Sequence, residues 1–154
     1  MRMPVILLDS STMTTEMNAR PDTKIAVILR EDLAAWQKLN MTAFLVSGVA
    51  HTAPESIGDA YADADGTKYL PMFGQPVLVF AATSDELTRS LDRALTRNVV
   101  PAVFTDELFA TGNDVDNRAA VAAVVRSELR LTSLALRADR RDVDKITKGL
   151  RLHR

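Results

Sequence analysis

From Val103 to Arg118 the chain reads Val-Phe-Thr-Asp-Glu-Leu-Phe-Ala-Thr-Gly-Asn-Asp-Val-Asp-Asn-Arg. Hydroxyl, carboxylate, amide and guanidinium groups gather here between an apolar run and an Ala/Val-rich run. Asp106 can work as a general acid or base, Thr105 and Thr111 carry hydroxyls, and Arg118 offers the planar fork that suits a carboxylate or phosphate. Asp106 and Glu107 are neighbours in sequence, and in a strand or loop neighbours point apart, which argues against a paired dyad. Upstream, Lys38 adds an ammonium and Asn40 an amide. The expected site therefore uses Asp106, Lys38 and Thr111 as catalytic groups. Asn40, Thr105, Glu107, Asn113, Asp114 and Arg118 are its ligand-binding groups, and its ligand is small and polar or anionic.

Other chemistries lose their anchors. The chain has no cysteine, which removes thiol nucleophiles, thiolate metal sites and disulfides. His51 and His153, the only histidines, stand in no metal-binding spacing. Asp63-Ala64-Asp65-Gly66 resembles part of a calcium loop, but matching it to the third to sixth places puts Tyr61 first and Met72 twelfth, where carboxylates are required. It reads instead as hairpin turn chemistry between Tyr61 and Tyr69. No Gly-rich phosphate loop, nucleophile elbow or zinc-helix motif occurs. No metal and no cofactor is expected.

The elements that must hold this site follow from patterning. Lys24–Arg30 is a continuous apolar run of the kind covered on both faces of a sheet. Asp32 is placed to cap a helix over Leu33–Val49, apolar nearly all round from Met41 to Val46 and hence expected to be buried, with Asn40 bonding to nearby backbone or into a pocket. Pro54–Gly58 forms one helical turn. Pro76–Ala81 is a second strand, and Thr83-Ser84-Asp85-Glu86 is a capping box opening a helix to Arg97. That helix turns Leu87, Leu91, Ala94 and Leu95 inward and Arg89, Arg93 and Arg97 outward. Val99–Phe104 is the third strand, and Asn113 or Asp114 caps the helix Val115–Ala123, whose amide end faces the cleft. Leu131–Arg137 alternates like an edge or half-exposed strand, and a last helix from Asp139 or Arg140 to Thr147 stops at Gly149. The order predicts a three-layer α/β/α sandwich on a mixed sheet of about four core strands.

The chain has 154 residues and a formal net charge of -1, enough for one core. Residues 1–22 are expected to be a tail or linker, with 4–8 as an edge strand, and 23–154 a single α/β domain. Residues 124–154 hold nine Lys/Arg against four acids, a local +5 that leaves -6 elsewhere. Arg140-Arg141-Asp142-Asp144-Lys145 alternates in sign as a solvated helix face does, so nucleic acid is not the expected partner. No apolar run is long enough to span a membrane, and a cytoplasmic location is expected.

Three segments carry a family resemblance. Lys24-Ile25-Ala26-Val27-Ile28-Leu29-Arg30-Glu31-Asp32-Leu33, the strand Gln75–Ala81 with Ser84-Asp85-Glu86-Leu87, and Val143-Asp144-Lys145-Ile146-Thr147-Lys148-Gly149-Leu150-Arg151-Leu152 resemble the peptidyl-tRNA hydrolase II superfamily over about residues 24–152. Leu39-Asn40, Asp63–Gly66, Phe104–Glu107 and Ala110–Asp114 look more like its bacterial offshoot, the domain of unknown function 2000 family. The resemblance implies the sandwich fold, often as a homodimer. The active family's basic helix positions fall on Gln37 and Leu39, with Lys38 reached after a one-residue slip. Its helix glutamine and histidine fall on Ala43 and Val46. Its aspartate is met by Asp106, and its threonine by Thr111 only after a slip. Two rivals to a ligand-binding protein therefore stand beside it: a peptidyl-tRNA or related amide hydrolase, and a non-catalytic homodimer joined through Trp36 and Phe109.

Overall fold

Strand β1 (Thr23–Arg30) buries Ile25 through Leu29 and lies at the centre of a five-stranded mixed sheet in a computed structural model that describes residues 20–154. The edge strand expected at 4–8 lies outside the described residues. The sheet order is β5 (Ala102–Thr105), β6 (Leu131–Asp139), β1, β4 (Val77–Ala82), β7 (Arg151–Leu152). β1 and β4 run parallel with Ile25 opposite Val77, while β6 is antiparallel to both β1 and β5, and β7 is antiparallel to β4. A separate hairpin of β2 (Tyr61–Ala62) and β3 (Lys68–Tyr69) precedes β4.

The pleat of β1 divides the core. Ile25, Val27 and Leu29 pack with Met41, Leu45 and Val49 of helix α1 (Ala35–Thr52). Ala26 and Ile28 face the other way, toward α2 (Ser84–Thr96) and α4 (Arg140–Ile146), meeting Leu87, Leu91, Ala94, Val143 and Ile146. Helix α3 (Asp114–Ala122) packs against the short helical turn Asp106–Phe109 and buries no side chain completely. One helix about 10 Å across lies over a sheet whose five strands, about 4.8 Å apart, are roughly twice as wide. A hollow is left on each flank of α1.

Several expectations are corrected. Leu131–Arg137 is no edge: β6 sits between β5 and β1 with Leu131 through Leu136 buried. Its polar alternation reflects small residues on the α1 side, Ser133 and Ala135, which leave room for Phe104, while the Thr132 hydroxyl donates to the Phe104 carbonyl (3.0 Å). Asp32 does not cap α1, because it accepts from Arg30 Nε (2.7 Å). The helix starts at Ala35, and the Gln37 side chain accepts from the Ala34 amide (3.1 Å). Nor is α1 buried all round, since Ala43 and Phe44 are exposed. Arg93 and Arg97 are not simply solvated: Arg93 donates to the Lys148 carbonyl (3.0 Å), and Arg97 lies 3.8 Å from Asp142. β7 makes a fifth strand that two residues of alternation could not announce. The Thr83–Glu86 capping box forms as expected, with bonds of 3.3 and 2.8 Å.

Candidate functional site

Residues on α1, β5 and α3 enclose a groove of about 620 Å³. Phe44, Leu45, Ala102, Val103, Phe104, Leu108 and Val121 make its walls, and Ser47, Asp114, Asn117 and Arg118 supply the polar atoms. The volume is that of a small-molecule site, and so is the pattern of apolar walls with few polar groups. Three aromatic rings carry the wall outward: Phe44 lies 6.2 Å from Phe104, and Phe104 lies 4.9 Å from Phe109. Trp36 then meets Phe109 edge-on at 5.8 Å.

Gly48 lines the groove from α1, facing Ala102 of β5. A methyl group added there would meet the Ala102 Cβ at 3.6 Å, an ordinary contact. Glycine inside a helix costs about 0.5–1 kcal/mol relative to alanine. Packing does not demand it here, and what its missing side chain leaves is open groove.

The polar stretch Thr105–Arg118 is largely spent on its own main chain. Asn113 Oδ1 accepts from the Asp116 amide (2.9 Å) and caps α3, as expected. The Thr111 hydroxyl donates to the Leu108 carbonyl (3.0 Å) and meets Asn117 Oδ1. Arg118 pairs with Asp114 one turn before it. With Asp114 and Asp116 in the first turn of α3, negative charge already occupies the end where an anion was expected. Thr105 is buried by the pleat beside a bulge between Phe104 and Thr105, and its hydroxyl has no partner. Asn40 is exposed and does not line this groove, so the amide expected to need a partner is solvated instead.

Asp106 is held bidentately by Arg30, both bonds being 3.2 Å. Arg30 also donates to the Leu131 carbonyl (3.3 Å), and Asp106 above all holds its guanidinium protonated more firmly than usual. Glu107 points the other way, to Arg130 (2.8 Å). Its own main-chain amide, then Arg130, keep its carboxyl below the ordinary carboxylate range. Lys38 turns to the far side of α1, donating to the Glu31 carbonyl (3.0 Å) and meeting His153 Nε2 at 3.1 Å. No hydrogen bond or ion pair joins any two of Lys38, Asp106 and Thr111, so the three expected catalytic groups have separate partners.

Sequence reasoning missed Phe44, Ser47, Gly48 and Asn117. The available signal was Gly48, a breaker inside a strong helix pattern. In the hairpin, Asp63 accepts from the Thr67 amide (2.9 Å) and the Tyr69 hydroxyl (2.8 Å), and these two groups, Tyr69 first, lower its carboxyl below the ordinary range. The turn is closed by its own polymer, and among the described residues no cluster of three or more His, Cys, Asp or Glu could hold a metal.

The chain belongs to the family described as protein of unknown function (DUF2000), whose model matches residues 23–154. It is similar to a solved structure of a protein of unknown function from Agrobacterium tumefaciens, with 46% identity and a TM-score of 0.86, covering 88% of this chain and all of that one. No curated protein matches.

Proposed function

We propose that this family member binds a small molecule with an apolar, ring-sized body and a polar end in the groove between α1 and α3. The body would lie among Phe44, Phe104 and Leu108, and Ser47, Asn117 and Arg118 would meet the polar end. Gly48 carries the reading: a helix-interior glycine that no clash requires is stability given up at a position lining the groove. The ligand is thus more apolar than the polar stretch alone suggested. The test is a fluorescence titration with anilinonaphthalene sulfonate, whose rings and single anion fit this description. Saturable one-to-one binding that Gly48→Leu removes, in a variant with unchanged circular dichroism, supports the proposal. No saturation, or equal binding by both proteins, overturns it.

The sequence resemblance to the peptidyl-tRNA hydrolase II superfamily keeps an amide hydrolase as an alternative, but one built on Lys38, Asp106 and Thr111 has less support, because each is engaged elsewhere. A homodimer is favoured by one specific observation. Trp36, Leu39 and Phe44 are 62%, 73% and 58% exposed on α1, an apolar patch of the kind that marks interfaces. Sedimentation tests it: a dimer at micromolar concentration that Leu39→Glu dissociates supports the second reading, and a wild-type monomer removes it. A cytoplasmic location suits a chain without cysteine, and no described helix is long and apolar enough to cross a membrane.

A further inference from the structure

The other flank of α1 differs in chemistry. There β7 forms the sheet edge, and an open hollow of about 750 Å³ is lined by Ala81, Arg151, Leu152, His153 and Arg154. Lys38 of α1 meets the lining residue His153, its Nζ 3.1 Å from His153 Nε2 and 3.0 Å from the Glu31 carbonyl oxygen. An ammonium has only donors, so the imidazole nitrogen facing it must be the acceptor. Its partners are a main-chain carbonyl and a ring nitrogen, and among the described residues it enters no ion pair within 4.0 Å. The carboxylate of Glu31, the residue after β1, is paired with Arg151, which lines the hollow.

A partly desolvated cation without a counter-ion, next to further donors and open space, is an arrangement an anion completes. We propose that this hollow is a second binding site, independent of the apolar groove, for a small phosphate-bearing molecule. Lys38 supplies the point charge, His153 a ring nitrogen, and Arg151 a fork that can exchange Glu31 for phosphate oxygens. A phosphate suits the set better than a carboxylate because its three terminal oxygens can accept from three differently directed donors.

Inorganic phosphate is the probe, titrated against chloride at constant ionic strength while the two histidine ring signals are followed by nuclear magnetic resonance. His51, exposed in the last turn of α1, is the internal control. The proposal expects His153 to shift saturably while His51 does not. Lys38→Met should weaken binding at least about tenfold, the scale of one charge-assisted hydrogen bond. Arg151→Gln should weaken it less, since Glu31 competes for that side chain. Parallel, unsaturated shifts of both histidines, or unchanged binding in a folded Lys38→Met protein, would overturn it.

Discussion

Arg30 and Asp106 face each other through two parallel hydrogen bonds, Nη1 to Oδ2 and Nη2 to Oδ1, each 3.2 Å long. The pair ties the end of β1 to the turn that leaves β5, across the intervening start of β6, where Arg30 also reaches the Leu131 carbonyl. The side chains are 16% and 30% exposed, so removing one partner leaves a mostly desolvated charge. Asp106→Ala should therefore cost about 1–3 kcal/mol in urea unfolding, less than a fully buried pair because Asp32 and Leu131 still accept from Arg30. Combined with Arg30→Gln, the losses should fall short of additive. Additive losses would mean that the two residues act separately.

Gly48→Ala should stabilise the protein by about 0.5–1 kcal/mol, measured by the same unfolding, because the new methyl meets Ala102 at an ordinary distance. Destabilisation would show that packing, not the groove, requires glycine.

Glu107 gives the fold an acid-side dependence. Its carboxyl is held below its ordinary value in the folded chain by its own amide and Arg130. The unfolded state therefore binds more protons in the window between the lowered folded value and the ordinary 4.5. Its contribution is full above that window and is lost as pH falls through the folded value. Relative to Glu107→Gln, wild type should be more stable at neutral pH, and the two unfolding curves should converge in strong acid. A gap that stayed constant with pH would contradict this assignment.

Thr83 caps α2 with both halves of its box made. Thr83→Ala should cost about 1 kcal/mol, and Glu86→Gln much less, since an amide oxygen can accept from the same main-chain donor. Equal losses would mean that charge at the helix end outweighs the cap.

Elements with complete local signals were legible in the sequence: the apolar run of β1, the Thr83 box, the Asn113 cap, the Asp63 turn and the stop at Gly149, whose φ of 90° only glycine adopts readily. Where tertiary partners decide, the chain was ambiguous. Ser133 and Ala135 looked like one face of an edge strand because small residues under a helix imitate exposure. Asp32 looked like a cap because its partner Arg30 cannot be weighed against an amide without coordinates. The site was legible in place but not in character. The Thr105–Arg118 stretch does border the groove, but its polar groups mostly close caps and turns. The walls come from Phe44, Phe104 and Leu108, which as isolated apolar residues look like any other core.

The most direct test of the groove is to find where its probe sits. Backbone amide spectra of the wild-type protein titrated with anilinonaphthalene sulfonate should show saturable shifts centred on Phe44, Ser47, Gly48, Val103, Phe104 and Asn117. Shifts centred instead on the exposed hairpin residues Tyr61, Tyr69 and Leu70, or spread without a centre, would contradict the account.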